Sequence, residues 1–137
     1  MIRSGRVARN RFGAAVDSRF DLLLVERGQS GKRFGFAYAD KPTTSAYNPP
    51  ALYSYNSSGS AIRITRNATG NYSVWFAGLQ KAVGHTETVI VSAFNGPATT
   101  CNVTSWSNSG AGLLAQVQCR NNLGFPSDSR FHVMVLE

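Results

Sequence analysis

The reactive side chains of this 137-residue chain are few: two cysteines, two histidines and seven acids, set among 14 basic residues. Cys101 and Cys119 flank the stretch NVTSWSNSGAGLLAQVQ. Both flanks alternate as strands do and the middle is turn chemistry, which reads as a hairpin. A turn centred near Gly110 sets Cys101 opposite Cys119, and facing residues on paired strands have the Cα spacing a disulfide needs. Two buried free thiols are the alternative. Two cysteines with two distant histidines lack metal-ligand spacing, so neither a metal nor another cofactor is expected.

His85 falls in KAVGHTET, which reads as an exposed turn, and His132 falls in a strand. The chain carries no GxSxG elbow, HExxH, P-loop or dinucleotide fingerprint. Seven acids are few for a pair of glycosidase carboxylates. No catalytic residue is assigned, and a small secreted hydrolase is the weakest of three functional readings.

The most specific feature is a repeat. Residues 9–26, RNRFGAAVDSRFDLLLVE, align without a gap on residues 120–137, RNNLGFPSDSRFHVMVLE, at an offset of 111. Eight of the 18 pairs are identical: Arg9/Arg120, Asn10/Asn121, Gly13/Gly124, Asp17/Asp128, Ser18/Ser129, Arg19/Arg130, Phe20/Phe131 and Glu26/Glu137. Self-similarity at a fixed offset marks a repeat architecture. The offset carries Cys119 back to Ala8. A partial copy without its Cys101 equivalent has no use for a cysteine there, which supports the bridge. The implied layout is a partial repeat over 1–26, the C-terminal strand region of a preceding unit, and one complete unit over 27–137.

Within the repeat, DSRF recurs at the same point of each copy. Asp17 and Asp128 precede a strand, where an aspartate can cap a turn through its own backbone. Arg19 and Arg130, two residues on, can pair with that aspartate or with a partner. The strand that follows is apolar on both faces: Leu22, Leu23, Leu24 and Val25 after Phe20 in the first copy, and Val133 to Leu136 in the second. Such a strand is normally covered on both sides. Either it is an ordinary central strand, or the tail strand 19–26 pairs with a neighbouring unit by strand addition.

These residues need strands to position them. RFGFAYA (33–39), ALYSYN (51–56), AIRITRN (61–67), NYSVWFAG (71–78), ETVIVSAF (87–94), CNVTSW (101–106), LLAQVQC (113–119) and RFHVMVLE (130–137) are β-branched or aromatic with near period two. The tail copy 19–26 makes nine. In AIRITRN, Ile62 and Ile64 should face inward, with Arg63 and Thr65 outward. Turn chemistry separates the strands: DKPTTSAYNPP, NSSGS, NATGN and NGPATT. The pattern predicts an all-β fold, an antiparallel β-sandwich or barrel of eight or nine strands.

The net charge is +7. Residues 1–33 hold eight of the 14 basic residues and three of the seven acids, so +5 of that charge lies there. The arginines are spread singly with no stacking aromatics, which reads as a solvated basic leader and makes nucleic acid an unfavoured partner. No apolar run is long enough for a membrane helix, and the basic start lacks the apolar stretch of a signal peptide. Tyr47, Tyr53, Tyr55, Trp75 and Trp106 form a candidate glycan-stacking set, because sugar faces are apolar and their rims polar. Core packing is the other reading.

Read together, GFAYADKPTT, YNPPALYSYNSSG, ITRNATGNYSVWFAGL, VIVSAFNG, VQC and DSRFHVMVLE resemble a β-domain of secreted bacterial proteins, usually labelled hypothetical and often occurring in tandem. The resemblance covers 33–137 and implies a secreted, disulfide-bearing β-domain with no assigned activity. The sequence therefore points to a non-catalytic extracellular structural or adhesive module that self-associates, with a homo-oligomer or repeat neighbour as partner. A carbohydrate-binding module is the first alternative.

Overall fold

The computed structural model describes residues 33–94 and 100–137, together with positions 12, 14, 15 and 17. The strand expected over Phe20 and Leu22 to Val25 lies outside them, as does Arg19.

The described chain is an antiparallel β-sandwich. Its strands are β1 (Phe34–Ala39), β2 (Ala46–Tyr47), β3 (Ser54–Asn56), β4 (Ile62–Ala68), β5 (Asn71–Ala77), β6 (Thr88–Phe94), β7 (Thr100–Ser109), β8 (Gly112–Arg120) and β9 (Arg130–Leu136). One sheet has the order β3-β1-β9-β6 and the other β2-β4-β5-β8-β7. Two details differ from the sequence reading. Residues 51–53 form a single 3-10 turn instead of the start of a strand, because Pro49 and Pro50 immediately precede them and remove two ladder donors. The proline-rich loop also contributes the two-residue strand β2, paired with Thr65 and Ile64 of β4.

Period-two alternation builds the core. Ile62 and Ile64 of β4, Tyr72, Val74 and Phe76 of β5, and Leu113, Ala115 and Val117 of β8 are buried from one sheet. Ala37, Ala39, Val89, Ala93, Phe131, Val133 and Val135 meet them from the other. Between the sheets, Gly35 leaves room for Phe76, whose ring would lie 2.8 Å from an added Cβ.

The hairpin β7–β8 turns through Gly110 and Ala111 and sets Cys101 directly against Cys119. Their sulfurs are bonded. Wide strand-like alternation with a two-residue turn made this legible in advance.

Candidate functional site

The last strand of the chain, β9, lies inside the four-stranded sheet between β1 and β6. β9 pairs with β1 along its whole length, Phe34 opposite Leu136 through Ala39 opposite Phe131. It pairs with β6 on its other side, Thr88 opposite Leu136 through Phe94 opposite Arg130. Its two apolar faces are thus accounted for in this copy: Phe131, Val133 and Val135 point into the core, while Met134 and Leu136 are half-buried on the outer face. β9 is a central strand, so its ladder is complete on both sides.

A polar clamp holds the segment just before β9. Asp128 receives two hydrogen bonds from Arg66, Nε to Oδ1 at 3.0 Å and Nη2 to Oδ2 at 2.9 Å. Oδ1 also accepts from the Gly70 N–H at 2.9 Å and lies 2.9 Å from the Tyr72 hydroxyl. That hydroxyl has one proton for two acceptors, since the Pro42 carbonyl is also at 2.9 Å. Its oxygen accepts the N–H of the buried Ser129 at 3.2 Å. Burial pushes the Asp128 pKa up, but the hydrogen bonds from Arg66, Gly70 and Tyr72 outweigh it and hold the carboxyl below its ordinary value. Burial raises the Tyr72 pKa, and the neighbouring carboxylate raises it further.

The expectation that Asp128 caps its own turn is therefore corrected. It reaches across the sandwich to the β4–β5 turn, and Arg130 is not its partner. Arg130 Nε donates instead to the Asp40 carbonyl at 3.1 Å. Asp17, the image of Asp128, is exposed. Phe12 sits in an exposed turn and Ala15 in an exposed single β-bridge, the local states of their images Leu123 and Pro126.

At the far end of β9, Glu137 accepts from Arg33 Nη1 at 2.7 Å and lies 2.8 Å from His85 Nδ1. Arg33 Nη2 also donates to the carbonyls of Gly78 and Gln80. His85 is an exposed member of this cluster. His132 lies five residues up the strand, roughly 16 Å away, stacked on Tyr38 at 4.8 Å between ring centres and edge-on to Phe94. The two histidines do not converge. Among the described residues, no group of three or more His, Cys, Asp and Glu side chains could hold a metal ion.

The five aromatic residues proposed for glycan stacking are scattered. Tyr55 packs its ring against Phe34 and Phe36 on the outer face of the four-stranded sheet and lines a shallow cleft of about 380 Å³ with Asn48, Asn56 and Ser60. Tyr53 stands edge-on to Tyr38 at 5.7 Å. Tyr47 is at the edge of the other sheet, its hydroxyl accepting from the Lys41 N–H. Trp106, opposite Ala115, is on the inner side of the edge strand β7 and 43% exposed. Trp75 lies on the outer face of the five-stranded sheet, opposite Arg63 and Leu114. Its Nε1 donates to the Ser109 carbonyl, and the ring rests on Gly112, where a Cβ would come within 2.4 Å.

The two outer faces differ in chemistry. Around Trp75 the face is a polar ladder: Asn67 donates to Ser73, Ser73 to Gln116, and Gln118 to Asn71. The opposite outer face carries Phe36, Tyr38, Tyr55, Ile90, Phe94 and Met134. Sequence reasoning missed this aromatic face because its rings come from three separate strands, β1, β3 and β6.

Compared with models of protein families, with curated proteins and with solved structures, the chain finds no match. No helix of the described residues is long and apolar enough to cross a membrane.

Proposed function

We propose that this chain is a non-catalytic extracellular structural or adhesive module that associates with its own kind by strand addition through residues 19–26 of the repeated segment. The observation that carries the reading is the docking of the second copy. Of the eight residues that the two copies share, Asp128, Ser129, Arg130, Phe131 and Glu137 hold the segment to the rest of the fold, and Arg120, Asn121 and Gly124 shape the turn that leads into it. A segment that keeps those residues keeps the means of docking to this fold. The Cys101–Cys119 bridge supports an oxidising compartment, where such bonds persist.

Static light scattering tests the reading. The full chain is expected above monomer mass, and deletion of residues 1–26 should lower the mass to the monomer while leaving the thermal midpoint in place. An unchanged mass after deletion removes self-association through this segment.

A carbohydrate-binding role is the second reading, favoured by the Trp75 platform. An indole packed against Gly112 beside Arg63 and a ladder of amides and hydroxyls offers an apolar ring with polar surroundings, the chemistry a sugar needs. Titration of tryptophan emission against neutral and acidic polysaccharides tests it. A response lost in Trp75→Ala supports it; no response from any polymer ends it.

A further inference from the structure

β9 fills the slot between β1 and β6, residues 121–129 lead from the end of β8 into it, and the contacts of residues 120–137 follow the repeat position by position. Arg120 Nη1 donates to the Gly124 carbonyl at 2.7 Å, and its Nε and Nη2 donate to Gln118. Asn121 Oδ1 accepts the N–H groups of Leu123 and Phe125 and so shapes the turn. Gly124 closes that turn at φ +86°, a conformation that favours glycine. Asp128 makes the clamp, and Ser129 gives its N–H to Tyr72. Arg130 reaches the Asp40 carbonyl. Phe131 is fully buried against Tyr72, ring centres 5.1 Å apart. Glu137 binds Arg33. These eight are the residues that recur as Arg9, Asn10, Gly13, Asp17, Ser18, Arg19, Phe20 and Glu26. Residues 122, 123, 125 and 126, which differ between the copies, are exposed.

The chain's connectivity adds a second, independent observation. β9 runs antiparallel to β1, and the Glu137 N–H donates to the Arg33 carbonyl at 3.0 Å. The C-terminal end of the slot therefore lies beside the first residue of β1. A strand with Glu26 at the place of Glu137 needs only RGQSGK, residues 27–32, to turn back into β1. Six residues with two glycines suffice for a hairpin loop, and a short loop costs little closure entropy.

We propose that the slot between β1 and β6 is a docking site with two interchangeable occupants in one chain, residues 120–137 and residues 9–26, the latter entering as a hairpin with β1. This deepens the reading of 19–26 as a docking strand and changes its geometry: the segment replaces β9 and does not extend a sheet edge. Residues 120–137 hold the slot because they fit it better. Val133 and Val135, 1% and 3% exposed, are leucines in the other copy, and each adds a methylene to a packed site. His132, stacked on Tyr38, is Asp21 there.

The test uses the full chain with a charge placed at the buried phenylalanine of either occupant. Phe131→Asp evicts β9 and the segment leading into it, and the chain should still melt cooperatively at monomer mass because 9–26 moves in. Phe20→Asp should melt as the unaltered chain does. The double substitution should lose the cooperative transition. Asp17→Ala should lower the midpoint only in the Phe131→Asp background. The proposal is overturned if Phe131→Asp alone unfolds, if the double variant stays folded, or if Asp17→Ala acts equally in both backgrounds. A Phe131→Asp chain folded only as a dimer overturns docking within one chain. Self-association is read separately, from the mass of the unaltered chain, so either idea can fail alone.

Discussion

Arg66 and Asp128, 62 residues apart in sequence, meet in a two-pronged ion pair at 3.0 and 2.9 Å. The pair ties the segment entering β9 to the β4–β5 turn, so one contact couples the two sheets. Asp128 accepts two hydrogen bonds from Arg66 and one from Gly70, and shares the Tyr72 hydroxyl proton with the Pro42 carbonyl. Asp128→Ala leaves their donors without an acceptor and should cost roughly 2–3 kcal/mol. Asp128→Asn, which keeps one acceptor oxygen, should cost less. Urea unfolding of the three chains gives the order directly; equal midpoints would show the clamp to be ornamental.

Stability should fall toward both ends of the pH scale, for separate reasons. The folded state holds the Asp128 pKa below its ordinary 3.8. Its stabilisation is therefore present above about pH 3.8 and is lost as pH falls through the lower, folded value. On the alkaline side, burial pushes Tyr47 up to about 12 from 10.0, and burial likewise raises Tyr72. Those phenols ionise in the unfolded chain first, so stability present below pH 10 declines as pH rises toward 12. Thermal midpoints measured from pH 2 to 12 should show both flanks. Asp128→Asn should flatten the acid one, and Tyr47→Phe should soften the alkaline one.

Gly70 and Gly59 both lie in the left-handed region, at φ +69° and +76°, and offer a matched comparison. An added Cβ at Gly59 meets nothing within 4 Å, whereas at Gly70 it stands 2.5 Å from the Cys119 carbonyl and 2.6 Å from the Ser127 nitrogen. Gly59→Ala should cost about 1 kcal/mol of backbone strain. Gly70→Ala should cost about 3 kcal/mol or more, because backbone must shift and the Gly70 N–H to Asp128 shifts with it. Similar losses for the two alanines would mean that the β4–β5 turn yields easily.

Local patterning made the strands legible in the sequence. Ile62 and Ile64 face the core and Arg63 faces solvent, as simple alternation requires. The hairpin disulfide was legible because both flanks alternate and the turn residues are explicit. Long-range partners were not. Nothing in DSRF says that Asp128 would find Arg66 across the sandwich, since that depends on which strands become neighbours. The proline-rich loop hid β2, whose two residues are too short for any period, and Pro49–Pro50 replaced the start of an expected strand with a 3-10 turn. The shared residues of the two copies marked a boundary in the sequence; only the contacts of 120–137 give each of them a physical job.

The Cys101–Cys119 bridge closes a loop across a sequence separation of 18 residues in the β7–β8 hairpin. Both half-cystines are buried, Cys119 fully. Restricting the unfolded chain over such a loop contributes about 3 kcal/mol on the chain-entropy account. The double variant Cys101→Ala/Cys119→Ala should lose about that much in urea. It should keep its fold, because seven registered pairs with β5, eight further pairs with β7 and the core leucine Leu113 still hold the hairpin. The native protein should resist dithiothreitol until denaturant is added, since Cys119 is fully buried and Cys101 is only 5% exposed. A loss under 1 kcal/mol, or ready reduction without denaturant, would mean that the β7 edge opens on its own and that the bridge guards a frayed strand instead of stabilising the sandwich.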